Sequence, residues 1–450
     1  LGDGLTDELT MSLSKVKGLR VVARRSSYSF RNRLDDVPTI GRLLNVDAVF
    51  EGTVRQIGDQ VRIHALLSGV EDGYLIWSEQ FECDTDELYS IQESMATSVV
   101  TALKEHFVGG SLELPVAEST PPDIEAYQLY LMAPNFLWQM RGERPLRKSI
   151  EMYRKALAIE PGFSRAVIGL ANSLVLLPFY SNEPMEPLFR EAEQVLGEHA
   201  FTSERDLGEA ESIYAFIAFH RWNWIDAEER FRKALELAPD SPNIYQWYSQ
   251  HLGYVGRKHD GLAAARRARD LDEVSPVIND RLAVAYLWLG DNMRAAEHFA
   301  ISAQLGFRNA INPGYMVLLV RAGRFEQFKA VMAAYHHGHP DIPHWLIDNA
   351  ETVFDPSQRK KAVAMAREAE ERGHLIRPAL RFGLWIILGA NDNAFRAYEE
   401  LSDHSRQFLQ LEFIWADERQ RFREDSRFQN FSDEIGWTEY WKRYGGPDKD

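Results

Sequence analysis

Apolar positions along the middle of this chain keep step at a fixed interval. Ala234 and Ala268 stand 34 residues apart, and Ser302 stands 34 beyond. Phe231, Ala265 and Phe299 keep the same step, as do Ala227, Gly261 and Ala295. An earlier echo is Tyr153, Ala156 and Pro161, matched by Phe231, Ala234 and Pro239. A second set precedes each of these by about half a period. It has small residues at Ala215, Ser249 and Ala283, each following a large one at Tyr214, Tyr248 and Leu282, with Met316 next in the series. One turn on come Ala218, Leu252, Tyr286 and Val320, on the same helix face. Gly256 and Gly290 fall between the two sets, where a residue free to take positive φ ends a helix. Pro161 and Pro239 stop the second helix of their units. Each unit is therefore a helical hairpin that cannot bury its apolar faces alone and stacks on its neighbours.

Pro161 and Pro239 are separated by two periods and about ten residues more. The extra length is expected where Pro178, Pro184 and Pro187 crowd together, which reads as a loop or long break rather than a helix. Residues 164–174 read as a first helix. Later, residues 360–371 read as a charged helix between Pro356 and Gly373, and residues 379–401 as a hairpin turning at Gly389-Ala390-Asn391.

The repeat resembles the tetratricopeptide (TPR) array, on the residues that keep the 34-residue step. The resemblance implies a superhelix with a concave face lined by first-helix positions two, five, nine, twelve and thirteen. Counted here, these give Phe216, Phe219, His220, Gln246, Gln250, Tyr254, Asp280, Leu287, Trp288, Leu318 and Arg321. They form the expected groove for a protein or peptide partner.

Residues 1–110 follow a different pattern. Leu5, Leu9, Leu13 and Val16 share one face of a helix over residues 3–16. Residues 19–23 are a short β-rich run, and residues 38–44 a second helix. Residues 47–57 and 60–70 make a hairpin across Gly58-Asp59, and a turn at Glu71-Asp72-Gly73 leads to a strand over 74–81. Asp84 or Thr85 caps a helix running to about His106. This block resembles the TolB amino-terminal-like domain. The resemblance rests on the runs starting at Asp3-Gly4-Leu5-Thr6-Asp7, Leu19-Arg20-Val21-Val22, Leu44-Asn45-Val46-Asp47-Ala48-Val49-Phe50-Glu51-Gly52-Thr53 and Gly73-Tyr74-Leu75-Ile76-Trp77. It implies a further strand ahead of the first helix, and the start at Leu1 reads as a truncation.

The expected fold class is an α+β domain with a small mixed sheet followed by an all-α TPR superhelix, an α-solenoid. The expected domains are residues 1–107, a linker over 108–122 rich in Gly, Ser and Pro, and the repeat domain over 123–450. The tail around Phe422–Phe428 and Trp437–Trp441 is the expected cap of the array, since a terminal repeat needs an atypical outer face.

The 450 residues carry a formal net charge of −16. That argues against nucleic-acid binding by this portion, which needs clustered cations. The single cysteine, Cys83, excludes an intramolecular disulfide framework and a cysteine zinc site. Apolar runs are too short to span a membrane.

Candidate chemistry is sparse. His336, His337, His339 and His344 cluster without helical spacing, among Gly338, Pro340 and Pro343, and read as a polar loop. Arg24, Arg25, Ser26 and Ser27 form a candidate anion site at a helix start, against the plainer reading of capping and surface pairing. Phosphate loop, nucleophile elbow and kinase signature are all missing. The reading is of a non-enzymatic part with no cofactor and no metal.

The resemblance implies company. TolB-like and repeat segments commonly follow a winged-helix DNA-binding domain or a class III nucleotide cyclase domain. The expected function is thus the sensory or regulatory portion of a bacterial signalling protein, acting in transcriptional regulation or with an adenylate cyclase, with its output domain upstream. The alternatives are an envelope-associated adaptor acting by binding alone and a metal-dependent enzyme. The expected compartment is the cytoplasm, or the periplasm if a membrane helix precedes Leu1. The oligomeric state is left open, a homodimer included.

Overall fold

The computed structural model describes residues 2–14, 16, 19, 21–22, 27, 30, 35–84, 87–107, 123–133, 143–181, 183–273, 275–305, 307, 313–336, 344–373, 378–406, 409 and 411–448. The expected linker, 108–122, lies outside them. The chain divides into two compact units. One is Leu1–Ile213 with Leu271–Val274, the other Tyr214–Asp270 with Ser275–Asp450.

The first unit holds the sheet. Helix α1 (Gly2–Ser14) buries Leu5, Leu9 and Leu13, the face its spacing dictates, and Val16 continues it. Helix α2 (Val37–Leu44) starts at Asp36, whose carboxylate accepts from the Thr39 N–H at 2.9 Å, and ends at Asn45 with φ 52°. Strands β1 (Ala48–Ile57), β2 (Gln60–Gly69) and β3 (Leu75–Asp84) are antiparallel in the order β1-β2-β3. β2 shows the strict alternation of a strand with one covered face: Val61, Ile63, Ala65 and Leu67 are buried. Phe81 and Cys83 join them from β3, which places the only thiol in the core. Among the described residues of the β-rich run 19–23, Leu19, Val21 and Val22 belong to no strand.

Helix α3 (Leu88–Phe107) packs on β3 and on α1. Its buried Gln92 donates to Ser12 Oγ at 2.9 Å and accepts from the Tyr127 hydroxyl at 2.6 Å. Tyr127 belongs to α4 (Ile124–Met132), so this one amide ties three helices through satisfied hydrogen bonds. Helices α5 (Glu143–Ile159), α6 (Ser164–Leu176) and α7 (Met185–Gly197) follow. The break expected around the three prolines is confined to residues 177–184. α7 is helical from Met185, against the expectation of a loop through Pro187. Pro184 is its N-cap and Pro187 lies in its first turn, where a missing N–H costs no intrahelical bond.

Helix α8 (Glu204–His220) runs across the division of the chain. The second unit continues with α9 (Trp224–Leu237), α10 (Pro242–Tyr254), α11 (Lys258–Leu271), α12 (Pro276–Trp288), α13 (Asn292–Gln304), α14 (Pro313–Arg321) and α15 (Phe325–His336). These are the expected hairpins of a TPR-like solenoid. The residues in step are its core: Phe231, Ala234, Ala265, Ala268, Phe299 and Ser302 are fully buried. Ala215, Ser249 and Ala283 are buried too, where first helices meet second helices. There Ser249 Oγ donates to the Gly261 carbonyl at 2.7 Å, and a β-carbon at 261 would press on the Ser249 carbonyl oxygen at 3.2 Å. The hairpins turn at Gly256 (φ 87°) and Gly290 (φ 77°). One period earlier the same place is held by Trp222, also left-handed at φ 60°.

Short helices α16 (His344–Asp348) and α17 (Ala350–Phe354) lead to α18 (Arg359–Glu371), α19 (Pro378–Ile387), α20 (Asn391–Glu399) and α21 (Asp403–Arg406). Two 3-10 turns, Leu411–Trp415 and Asp417–Arg419, precede α22 (Gln420–Arg423), α23 (Phe428–Glu434) and α24 (Trp437–Tyr444). These closing elements do not cap only the last repeat. They return to α9, α10 and α12, in the middle of the array.

Candidate partner groove

The expected groove residues sit on α8, α10, α12 and α14, one set per first helix. Phe216, Phe219, His220, Gln246, Tyr254, Asp280, Leu287, Trp288 and Leu318 are buried. Gln250 and Arg321 are half-buried. The rings of the first two helices pack on one another: Phe216 on Trp247 at 4.6 Å and Phe219 on Tyr254 at 4.8 Å between centroids. The His220 ring lies tilted against Phe216 and edge-on to Phe219, and burial pushes its imidazole down to about 3, so it is neutral at pH 7.

What covers this face on α10, α12 and α14 is the chain itself. Residues 411–419 lie across α10 and α12 as a strap. Arg281 of α12 makes a two-bonded ion pair with Glu412, its Nη1 donating to Oε2 at 2.9 Å and its Nη2 to Oε1, with both side chains 8% exposed. Gly253 makes this approach feasible, because a β-carbon there would overlap the Glu412 carboxylate. Trp415 Nε1 donates to the Tyr254 carbonyl at 3.0 Å. Ala416 belongs to the same apolar cluster as Leu287, Trp288 and Leu318, and Phe413 packs against that cluster. Arg321 Nε and Nη2 donate to the Glu418 carboxylate at 2.6 and 2.8 Å, while its Nη1 donates to the Leu287 carbonyl at 2.8 Å. The same guanidinium stands 6.0 Å from the Trp288 ring centroid.

Beyond the strap, the closing helices bond the corner where α10 turns into α11. The Tyr254, Val255 and Gly256 carbonyls, orphaned at a helix end, accept from Trp415 Nε1, Trp441 Nε1 and the Asp448 N–H at 3.0, 2.9 and 3.0 Å. Asp448 in turn accepts from the His259 N–H at 2.8 Å. Trp224 Nε1 donates to the Ile435 carbonyl at 2.5 Å.

Sequence reasoning missed the centre of this corner, which is Glu228 on α9. Its side chain has no exposed surface. Its oxygens accept from Tyr248 (2.8 Å), Tyr440 (3.0 Å) and Arg232 (2.8 Å), lie 3.3 Å from Arg257, and meet His251 Nε2 at 3.1 Å. Burial alone would raise the Glu228 carboxyl, but the bonds and charges around it, His251 first, hold it well below the usual range. His251 is lowered by its own burial. A neutral imidazole donating Nε2–H to Glu228 fits both, with Nδ1 left as a buried nitrogen that makes no hydrogen bond. The one available signal was position: Glu228 stands beside the in-step Ala227 and three before Phe231, on the buried side of α9.

Of the other candidates, Arg24, Arg25 and Ser26 lie outside the described residues, and Ser27 is half-buried. His337 and His339 also lie outside, the placement of the His336 side chain is not described, and His344 is exposed at the start of α16. Among the described residues, no group of three or more His, Cys, Asp or Glu side chains is placed to hold a metal, and no helix is long and apolar enough to cross a membrane.

No family model matches this chain. Over 182 residues it is 29% identical to a Rhizobium meliloti (strain 1021) protein named putative adenylate cyclase 3, a match covering 40% of this chain and 30% of that protein. The chain thus spans less than a third of that relative's length. Among solved structures it is similar to YrrB, described as a TPR protein with an unusual peptide-binding site (15% identity, 44% of this chain and 92% of that one, TM-score 0.26). It is also similar to a thermophilic TPR protein of Thermus thermophilus (16%, 55% and 95%, TM-score 0.23) and to the human IFIT1 dimer (11%, 74% and 81%, TM-score 0.39).

Proposed function

We propose that this chain is the non-catalytic, protein-binding and regulatory portion of a bacterial signalling protein. The observation that carries the reading is the inner face of α10, α12 and α14. There two arginines, Arg281 and Arg321, and the Tyr254 and Trp288 rings line one surface, and that surface is already engaged by a peptide-like segment. Stacked hairpins create such extended faces, and a face of this kind binds chain segments rather than small substrates. The likeness to a protein named an adenylate cyclase supports placing the output in a cyclase or DNA-binding domain outside these residues. The net charge of −16 supports assigning DNA contact, where there is any, to that other domain. We place the protein in the cytoplasm on the same reading.

The test is recovery of partners from the native cell extract by the full chain, beside the same chain carrying Gln250→Ala and Arg321→Ala at the half-buried rim. A specific protein lost in the variant supports the reading. No specific protein recovered by either, or salt-sensitive binding of the chain to duplex DNA, would remove it.

A further inference from the structure

We propose that residues 411–419 are a resident ligand of the array. The inner face then takes peptides bearing a carboxylate, an indole three residues on, and a second carboxylate three residues beyond. This rests on the protein-binding reading above and adds its recognition chemistry.

The spacing is the first argument. Glu412 and Trp415 lie in one 3-10 turn and Glu418 in the next. A 3-10 helix has three residues per turn, so side chains at i and i+3 project to the same side. Glu412 and Trp415 therefore project to the same side, and extended backbone at Ala416 (φ −65°, ψ 144°) ends that turn before Glu418. Each meets its own receptor on a different first helix: Glu412 the Arg281 of α12, Trp415 the carbonyl end of α10, Glu418 the Arg321 of α14.

The second argument is complementarity. Both carboxylates are gripped by two guanidinium N–H groups, the planar fork that suits a carboxylate. Gly253 leaves room for the first carboxylate, as a receptor for that group requires.

The third is independence. The corner bonds of Trp224, Trp441 and Asp448 are made by residues beyond 434 and not by the strap, whose Trp415 ring packs on Trp437 and Trp441 at 4.8 and 6.0 Å between centroids. The strap is held by a set of discrete contacts: the two carboxylate pairs, the Trp415 N–H bond and the buried Leu411, Ile414 and Ala416 side chains. A partner peptide of the same pattern then competes with the strap for one face.

The test uses a fluorescent peptide with the sequence of residues 409–421, added to the full chain. In the variant Glu412→Gln with Glu418→Gln the strap keeps its shape and loses both charges. The peptide binds this variant at least tenfold more tightly than the wild type, and adding Arg281→Met and Arg321→Met returns binding to the wild-type level or below. A folded variant that binds no better than wild type overturns the proposal. Hydrogen exchange on the wild type is the second measurement: amides of 411–419 exchange at least tenfold faster than those of α10 and α12, and equal protection marks the strap as permanent core and overturns the proposal. A wild-type chain that recovers a specific partner while the peptide arm fails removes this inference and leaves the protein-binding reading standing.

Discussion

Arg281 and Glu412 are 131 residues apart in the chain and form a buried, two-bonded ion pair between the array and its strap. Burying two charges is costly, and the cost is met only while each has its partner. Glu412→Ala leaves the guanidinium buried and uncompensated. The expected loss is about 3–5 kcal/mol. Replacing both with methionine costs far less, because no charge is then stranded. Urea unfolding of Glu412→Ala and of the double variant measures this, and equal losses for the two would refute it.

The register of the repeat makes a second prediction. Ala234 and Ala268 are fully buried where second helices meet their neighbours. Ala234→Phe forces those helices apart and costs about 1–3 kcal/mol or more by overpacking. A melting temperature unchanged by the substitution would mean the 34-residue register is misassigned.

The repeat was legible because one physical demand, close helix contact, recurs at Ala215, Ser249 and Ala283 and at Ala234, Ala268 and Ser302. The hairpin strands were legible from alternation on β2 and from turns at Gly58 and Gly73. The same period placed Tyr254, Trp288 and Arg321 together on one face. It had no means of showing that residues 411–419 cover that face, because the contact joins distant segments and leaves no periodic trace. Glu228 escaped for a different reason. Its spacing to Arg232 is that of an ordinary exposed helix pair, and only Tyr248, His251, Arg257 and Tyr440, brought in from elsewhere, make it a buried node. α7 was misread because Pro187 was weighed as a helix breaker when its first-turn position makes it harmless.

Stability should fall as pH drops below neutrality. Folding holds the His220 imidazole near 3 against about 6.5 when unfolded. Below pH 6.5 the unfolded chain takes up a proton that the folded chain refuses, so the unfolded state gains. At pH 5 this amounts to about 2 kcal/mol for a histidine so placed. His251 acts in the same direction. Glu228, held below its unfolded range, adds a second loss as pH falls through about 4.5 and lower. Thermal unfolding at pH 7, 6 and 5 shows the first limb, and His220→Phe reduces its slope. An imidazole resonance of His220 that titrates between pH 8 and 5 in the folded protein would contradict the assignment.

Trp222 holds the left-handed conformation that Gly256 and Gly290 hold one and two periods later. For a bulky residue this costs about 1–2 kcal/mol, because the β-carbon crowds the following carbonyl oxygen. Its ring stacks on Trp224 at 6.4 Å between centroids, with planes 17° apart, and Trp224 in turn bonds the Ile435 carbonyl of the closing helices. The strain is therefore tolerated for packing at the corner where the chain returns on itself. Two substitutions separate the terms. Trp222→Ala loses the packing and keeps the strain, whereas Trp222→Gly loses the packing and relieves it. The glycine variant is expected to be the more stable of the two by about 1 kcal/mol, the reverse of the order at a position with negative φ, where glycine costs about 0.4–1 kcal/mol through the unfolded chain. Chemical denaturation of both variants measures the difference, and an alanine variant as stable as the glycine variant or more so would show that residue 222 carries no such strain.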